Sequence, residues 1–388
     1  MSVQTIRMAQ SSATEARQAV QEFHATVAQP EMELVLFFCS SEYDLEVLAA
    51  EMNRLFAGVQ VVGCTTAGEI GPAGYLQHSL SGASFAAGSC VAVSGLLEHL
   101  SQFDITQGHD FAQTLLQRLE SRAPGASADN SFAFMLIDGM SVREEPVSHA
   151  LQYAIGQIPL FGGSAGDDQK FAVTHVYSNG RFHSDSALLI LISTNLPFKI
   201  FKTQHFISTD ERLVVTEADP ARRIVKEING LPAAAEYARL LGVDVHGLNP
   251  MRFAASPVVV MIDGTDYVRS IQKANPDGSL TFFCAIEEGV VLRVAHGIDI
   301  VNNLKQTFDQ IRAEIGSPQL VLGCDCILRN LEISQNNLKD RVQELFQLNN
   351  TIGFSSYGEQ FHGVHVNQTL TGIAIGTAPE SPPEAHDA

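Results

Sequence analysis

The residues best suited to chemistry lie in a short turn, residues 61–70 (VVGCTTAGEI), at the end of an apolar run. The first residues of the turn are β-branched and predict the end of a buried strand. Glycines after a strand let the backbone take left-handed angles and let another group approach closely. Thr65 and Thr66 offer hydroxyl groups there, and Glu69 offers a carboxyl group. Because α/β folds place ligands at the carboxyl ends of strands, the turn predicts part of a binding site.

The same pattern of glycine, hydroxyl residue and acid occurs twice more, at residues 160–167 (LFGGSAGD) and 352–359 (IGFSSYGE). Superposing the last glycines aligns three hydroxyl residues and three acids: Thr66, Ser164 and Ser356, and Glu69, Asp167 and Glu359. An apolar strand and a helical segment precede each turn, and another strand follows it. A pattern of this kind predicts repeated structural units.

Three such turns could form the walls of one pocket. The candidate lining residues carry thiol, hydroxyl or carboxyl groups: Cys64, Thr65, Thr66, Glu69, Ser164, Asp167, Ser355, Ser356 and Glu359. Their acids could pair with an amine, or they could accept hydrogen bonds from neighbouring backbone amides. Three ordinary turns at strand ends would contain the same residue types.

The elements around the turns predict a mixed α/β protein. We expect two related domains of β-sheets flanked by helices, with internal duplication and added hairpins. One hairpin is predicted around Asn179-Gly180, with Val176 opposite His183 and Tyr177 opposite Phe182. The predicted divisions are an N-terminal helix over 1–32, a first domain over 33–212, a second domain over 213–376 and a disordered tail over 377–388.

Composition narrows the classes of partner and the compartment. The formal net charge of −19 over 388 residues argues against binding to nucleic acid or to an anionic membrane surface. Residues 1–20 lack the apolar core of a signal peptide, and no run reaches membrane-spanning length, so we expect a cytoplasmic protein. The six cysteines are scattered, which is typical of reduced thiols in a core.

A thiol-dependent enzyme is one alternative, with Cys64 as the nucleophile. A catalytic cysteine needs a base such as histidine and a lowered pKa, and no histidine is near Cys64 in the sequence. The sequence has no Walker loop, dinucleotide fingerprint, zincin motif or nucleophile elbow. We therefore expect that the protein is not an enzyme and that Cys64 is a small buried thiol.

The turn motifs resemble those of the FIST sensory family. The resemblance rests on separated motifs in the right order: GCTTAGE at 63–69, FGGSAGD at 161–167, and GE at 358–359 followed by NQTL at 367–370. It implies a FIST N-like first domain and a FIST C-like second domain that sense a small molecule. Within the family, the chain is similar to the NosP branch from end to end.

The NosP resemblance implies a haem-based nitric oxide sensor. Proteins of that branch bind haem b (iron protoporphyrin IX), sense nitric oxide through the iron and regulate a partner histidine kinase in two-component control of biofilms. One neutral imidazole would ligate the iron and leave an open side for the gas. The sequence has no Cys-x-x-Cys-His motif, so the haem would be non-covalent.

Thirteen histidines could supply the iron ligand. We rank His205 first, as a tentative metal ligand, followed by His183 and His365. If residues 201–207 form one strand, His205 shares a mostly apolar face with Phe201 and would suit a porphyrin. The alternative function is a haem-free FIST receptor for a small metabolite such as an amino acid. The sequence leaves open whether the protein forms a homo-oligomer.

Overall fold

The computed structural model describes residues 5–168, 170–262 and 264–377. Except for residue 377, the predicted tail over 377–388 lies outside the described residues. The described chain has a mixed α/β fold in which β-sheets are flanked by helices, so the predicted fold class is confirmed. Three units of similar element order account for most of it.

The first unit alternates strands and helices and ends in a hairpin and a return strand. Its elements are β1 (Ile6–Ser11), α1 (Ala16–Val27), β2 (Met32–Ser40), α2 (Leu45–Leu55), β3 (Gln60–Thr66), β4 (Glu69–Gly71), β5 (Gly74–Leu76) and β6 (Leu80–Ala86). The segment predicted as a separate N-terminal helix, 1–32, contributes both α1 and β1, and β1 pairs with β6. The sequence does not predict β1, because its apolar residues are few and do not alternate clearly.

The second unit repeats this order. Its elements are β7 (Cys90–Glu98), a 3-10 turn (Leu100–Gln102), α3 (Ile105–Arg122), β8 (Ser131–Ile137), α4 (Glu144–Ile155), β9 (Leu160–Ser164), β10 (Val176–Ser178), β11 (Arg181–His183) and β12 (Ser186–Thr194). In the hairpin β10–β11, Val176 pairs with His183 and Tyr177 with Phe182, which confirms the predicted register.

The third unit has the same order, but a further domain is inserted after its first strand. The unit's own elements are β13 (Phe198–Thr203), α7 (Ile300–Ile315), β22 (Leu320–Cys326), α8 (Ile327–Gln335), α9 (Lys339–Leu348), β23 (Thr351–Ser356), β24 (Glu359–Phe361), β25 (Val364–Val366) and β26 (Leu370–Ile375). We call the three units together the core.

The inserted domain occupies residues 206–297 and is mainly β-structure. Its strands and helices are β14 (Phe206–Asp219), a 3-10 turn (Pro220–Arg222), β15 (Ile224–Ile228), β16 (Leu231–Pro232), α5 (Ala233–Leu241), a 3-10 turn (Val245–Gly247), α6 (Pro250–Ala255), β17 (Val258–Ile262), β18 (Thr265–Arg269), β19 (Ile271–Ala274), β20 (Leu280–Phe282) and β21 (Val291–Gly297). It has its own apolar cluster. The predicted boundary between residues 212 and 213 falls inside β14.

Each unit contributes to a six-stranded sheet and gives its hairpin to the sheet of another unit. The strand orders are β1-β6-β2-β3-β10-β11, β7-β12-β8-β9-β24-β25 and β13-β26-β22-β23-β4-β5. The first hairpin therefore joins the third sheet, the second joins the first, and the third joins the second. Each exchanged hairpin follows one of the repeated turns, directly in the first and third units and after a loop in the second, so this cyclic exchange brings the three turns together.

The three sheets share one apolar cluster. Phe38 of β2 stacks on Phe354 of β23 with 4.6 Å between ring centroids, and it meets Phe134 of β8 edge-on at 6.5 Å. Burying a phenylalanine side chain stabilises a fold by roughly 1.5–3 kcal/mol, so contacts of this kind hold the units around a common centre. The helices cover the outer faces of the sheets and close separate clusters there.

Candidate functional site

The three repeated turns meet through backbone hydrogen bonds. The amide of Ala67 donates to the carbonyl of Ser355 at 3.0 Å, and the amide of Gly166 donates to the carbonyl of Thr65 at 3.0 Å. The amide of Ser164 donates to the carbonyl of Gly358 at 2.8 Å. Each turn is thus bonded to the other two.

Two of the three acids fasten the base of an exchanged hairpin. Glu69 accepts hydrogen bonds from Thr66 and, at 2.7 Å, from the hydroxyl of Ser79. Glu359 accepts from Ser356 at 2.6 Å and from Thr369 at 2.7 Å. Both glutamates are fully buried, and this burial raises the pKa of each to about 8 despite the hydroxyl donors.

The third acid, Asp167, has a different role. Its carboxylate accepts hydrogen bonds from the amides of Phe171, Ala172 and Val173 at 2.8 to 2.9 Å. It therefore caps the loop before β10, which is one of the two roles that the sequence left open for these acids. All three acids are satisfied inside the protein, and they do not present a free carboxylate to an amine ligand.

The other predicted lining residues are also engaged. Asn330 donates to the hydroxyl of Ser355 at 2.9 Å, and Gln360 donates to that of Ser164 at 3.0 Å. The hydroxyl of Thr65 accepts from the amide of His175 at 3.0 Å. The nine residues predicted to line a pocket are at most 2 % exposed. They form the packed frame of the site and do not form its open wall.

Cys64 lies at the centre of this frame. Its thiol is fully buried, and burial together with the nearby Cys39 and Cys324 raises its pKa well above the usual value. A nucleophilic cysteine requires the opposite shift. The geometry therefore supports the interpretation of Cys64 as a packing residue.

A cavity of about 180 Å³ lies beside the frame, between the core and the inserted domain. Tyr357 of the third turn and Gly139, which follows β8, line it from the core. The inserted domain contributes Arg223 and Phe283. We call the contact between the core and the inserted domain the seam. Because β8 ends at Ile137, the cavity lies at the carboxyl end of a core strand, where the sequence predicts a ligand.

One wall of the cavity carries a buried charge cluster. Nη2 of Arg223 donates to the carboxylate of Glu144 at 2.6 Å and to that of Glu145 at 2.7 Å. Burial alone would lower the pKa of Arg223, but the two carboxylates outweigh burial and raise it. Nε of Arg223 is buried and has no hydrogen-bond partner in the described part of the chain. The guanidinium is therefore fixed in place with one donor to spare.

The other wall is aromatic. Phe171 stacks on Tyr357 with 4.5 Å between ring centroids and lies 6.0 Å from Phe283. The hydroxyl of Tyr357 donates to the carboxylate of Asp167 and contacts the carbonyl of Asp168 at 2.9 Å. The cavity thus combines a charged end with an apolar face, a combination typical of small-molecule sites.

The closing motif NQTL helps to hold the inserted domain. Gln368 accepts a hydrogen bond from the hydroxyl of Ser270 at 3.0 Å and donates to the carbonyl of Ala254 at 2.7 Å. Arg269 donates to the carbonyl of His365 at 2.9 Å. The motif therefore connects the third hairpin to the seam.

His205, the first choice for an iron ligand, does not fit that role in this structure. It lies between β13 and β14, so the single strand assumed over 201–207 is broken there. Its Nε2 is 2.8 Å from the carboxylate of Glu332, and its Nδ1 is 3.1 Å from Nη1 of Arg329. Both ring nitrogens are occupied, and the ring is fully buried. Burial also lowers the pKa of His205.

The other two histidines do not fit better. Nε2 of His183 is 3.2 Å from the carbonyl of Ser178, and its Nδ1 is 3.4 Å from Glu98. Nε2 of His365 has no hydrogen-bond partner among the described residues. However, a Cβ atom built on Gly358 would lie 2.3 Å from Cε1 of His365, so the backbone of the third turn packs against that ring edge. A porphyrin has no room there.

Sequence reasoning missed the residues that line the cavity. A signal for Tyr357 was present, because the aligned turns have alanine at the equivalent positions 67 and 165. Arg223 and Glu144 are separated by 79 positions in the sequence, and only the folded chain brings them together. In the described part of the chain, no group of three or more His, Cys, Asp or Glu residues is arranged to hold a metal ion.

No helix in the described residues is long and apolar enough to cross a membrane.

Comparison with protein families identifies the class. Two family models match in order along the chain, the FIST N domain over residues 33–231 and the FIST C domain over residues 233–362. FIST domains are sensory domains of signal transduction, so this α/β protein is of the sensory class. The chain belongs to the FIST family, because these matches cover well over half of its length.

Other comparisons add little. No curated protein matches the chain significantly. Among solved structures, the chain is similar to a cyanuric acid hydrolase described as an evolutionary innovation by structural concatenation, with 11 % identity, a TM-score of 0.36 and coverage of 96 % of this chain and 99 % of the other. A cyanuric acid hydrolase from A. caulinodans gives 9 % identity, the same TM-score of 0.36 and the same coverage of 96 % and 99 %. Similarity this low says nothing about the activity of this chain.

Proposed function

We propose that this FIST protein is a cytoplasmic, non-catalytic sensor that binds a small zwitterionic metabolite, such as an amino acid, in the cavity at the seam. The observation that carries the proposal is Arg223, a buried guanidinium fixed by two carboxylates with its Nε left unpaired in the described chain. A ligand carboxylate would accept a hydrogen bond from this group, since guanidinium groups bind carboxylates strongly.

The size of the cavity restricts the ligand. Its volume is about 180 Å³. Pockets for drug-sized ligands occupy roughly 300–1,000 Å³, so this ligand has only a few heavy atoms. Glu144 would pair with its ammonium group, and Phe171 would pack against its apolar part.

The position of the cavity supports a signalling role. The ligand would contact the core through Tyr357 and the inserted domain through Arg223 and Phe283. A ligand bound more tightly in one arrangement of these two parts shifts the population toward that arrangement. Protein contact would then pass the signal on, with a histidine kinase as the partner we propose.

Calorimetric titration with the common amino acids, one at a time, tests the proposal. At least one should bind, and Met140→Trp, which enlarges a side chain that lines the cavity, should weaken its binding by tenfold or more, about 1.4 kcal/mol. Ala57→Trp is the matched control, since Ala57 lines a separate surface groove between the first and second units. Binding that survives Met140→Trp but is lost in Ala57→Trp would place the site elsewhere.

Haem-based sensing of nitric oxide is the competing proposal, and it rests on the NosP resemblance. The three nominated histidines are engaged or covered in this structure, so we derive no step through an iron centre. Titration with hemin separates the two proposals. Under the metabolite proposal we expect no Soret band that shifts with nitric oxide. A shifting band that is lost in His365→Ala but retained in His24→Ala would establish the haem function and identify its ligand.

A further inference from the structure

Two arginines lie directly opposite each other on neighbouring strands of the inserted domain. Arg212 of β14 pairs with Arg293 of β21 in an antiparallel register. The next pair, Leu213 with Leu292, is fully buried in the apolar cluster of the domain, so the two arginines lie on the other, outer face of the sheet. Like charges opposite each other on one face of a sheet are destabilising. The pair therefore costs stability unless an anion neutralises it.

Neither arginine forms an ion pair within residues 5–168, 170–262 and 264–377. By contrast, Arg122, Arg223 and Arg329 each lie 2.6 to 2.9 Å from a carboxylate. Carboxylates are abundant in this chain, which has 43 acidic residues against 24 lysines and arginines. The two guanidinium groups are therefore available to carboxylates of another molecule.

Exposed apolar side chains lie beside the arginines. Two positions along the strands, Val214 pairs with Val291 on the same face. Val259 of β17 pairs with Arg293, which places Met261, two residues later, on this face as well. Val259 itself is buried, whereas the other three apolar side chains are 38 to 45 % exposed. We call the exposed part of the face the outer patch, which consists of Arg212, Val214, Met261, Val291 and Arg293.

The dimensions of the outer patch match one side of an amphipathic helix. Three neighbouring strands at ~4.8 Å spacing span about 10 Å, close to the ~10–12 Å diameter of a helix. Carboxylates at positions i and i+4 of a helix lie about 5–6 Å apart, similar to the separation of opposite residues on adjacent strands. Two such carboxylates can therefore meet the two arginines while apolar side chains of the same helix cover the valines.

We propose that the outer patch is the docking site for an acidic amphipathic helix of a partner protein. Guanidinium groups form strong paired hydrogen bonds with carboxylates, and Arg and Met are enriched in protein interfaces. A second copy of this chain does not fit through a two-fold contact, because the arginine pairs of the two copies would then face each other. Charge complementarity thus requires a different, acidic surface.

One strand connects the outer patch with the proposed ligand cavity. β14 carries Arg212 and continues through the 3-10 turn Pro220–Arg222 to Arg223, which lines the cavity. A ligand that holds Arg223 therefore acts on the element that carries the patch. This connection rests on the proposed function, whereas the docking site rests on the register and the charges of the inserted domain.

Fluorescence anisotropy with two labelled peptides tests the docking site on the full-length protein. One peptide is an end-capped helix of about 18 residues with leucines on one face and glutamates beside them, and the other has lysine in place of each glutamate. Because the net charge of the protein is −19, non-specific attraction would favour the lysine peptide. We expect the glutamate peptide to bind more tightly by about tenfold or more, and its affinity to fall as salt is added.

Arg212→Glu should weaken binding of the glutamate peptide by about tenfold or more, because it removes one cation and pairs the other. The variant should fold, since a glutamate opposite Arg293 replaces a repulsive pair by an attractive one, and the midpoint of urea unfolding should rise. Arg181→Glu is the matched control, because Arg181 is an exposed arginine on β11 of the core. It should leave the affinity unchanged.

Three results with the peptides would overturn the proposal: no binding of the glutamate peptide, a preference for the lysine peptide, or equal weakening by Arg212→Glu and Arg181→Glu. Self-association of the protein alone that Arg212→Glu abolishes would assign the patch to a second copy. Binding to vesicles of phosphatidylcholine and phosphatidylserine that Arg212→Glu abolishes would assign it to a membrane, and either result would also overturn the proposal. The peptide titrations contain no amino acid ligand, so their outcome is independent of the calorimetric test of the cavity.

Discussion

Tyr357 donates a hydrogen bond to the carboxylate of Asp167 and so joins the third repeated turn to the second. The first two turns have alanine at the equivalent position, so the tyrosine breaks the near-symmetry of the three turns at one point. The cavity that we propose as the ligand site opens at this point. The repeated frame thus positions the site, and a departure from the repeat gives the site its chemistry.

Tyr357→Phe should destabilise the protein by about 1–3 kcal/mol, because the carboxylate of Asp167 loses a buried hydrogen-bond donor. Urea unfolding followed by circular dichroism measures the loss. Tyr153→Phe is the control, since Tyr153 is 78 % exposed and should change stability little. Equal stability of the two variants would show that the hydrogen bond between the third and second turns contributes nothing.

Stability should fall as pH rises from about 4.5 to about 8. Burial raises the pKa of Glu69 and of Glu359 to about 8, so both hold a proton in the folded state that they release in the unfolded state over this range. The unfolded state then binds fewer protons, and each group lowers the free energy of unfolding by up to ~1.4 kcal/mol per pH unit. Above about pH 8 the contribution levels off.

Glu69→Gln checks this pH dependence. The amide cannot ionise, so the slope of the free energy of unfolding between pH 5 and pH 8 should be less negative than in the unmodified protein. Glu46→Gln, which alters an exposed glutamate on α2, is the control and should leave the slope unchanged. Parallel profiles for all three proteins would mean that Glu69 ionises normally in the folded state.

Arg223→Met should cost about 3–5 kcal/mol, because it leaves Glu144 and Glu145 without their buried cation. We expect the loss at the seam, so limited proteolysis should release the inserted domain faster than in the unmodified protein. Arg222→Met is the matched control, because Arg222 is the preceding residue and its side chain is exposed. Adding Glu145→Gln to Arg223→Met should restore part of the stability. A further loss in the double variant would contradict the proposed pairing.

Gly358→Ala should destabilise the protein by about 1–3 kcal/mol, because the added methyl group would overlap the ring of His365. Thermal unfolding measures the effect. Gly247→Ala is the control, because a Cβ there meets nothing within 4 Å. If Gly358→Ala is as stable as the control, the ring of His365 can move away and its unpaired Nε2 is more accessible than the structure shows.

The sequence by itself determined the repeated frame. Three turns with glycine, hydroxyl and acid at matching positions predicted units that the structure confirms. The prediction succeeded because the residues of each unit specify its own turn conformation and its own apolar pattern. The hairpin at Asn179-Gly180 was predicted to the residue for the same reason. Local chemistry of this kind needs no knowledge of distant partners.

Only the tertiary structure decided where the hairpins pair, where the cavity lies and what surrounds each histidine. A short hairpin can extend any of three similar sheet edges, and the choice depends on packing between units. His205 was predicted on an apolar face, but the chain breaks its strand there and turns the ring toward Glu332 of a helix 127 residues away. Contacts over such separations are set by the whole fold, because the free energy of burying one side chain depends on every neighbour that assembles around it.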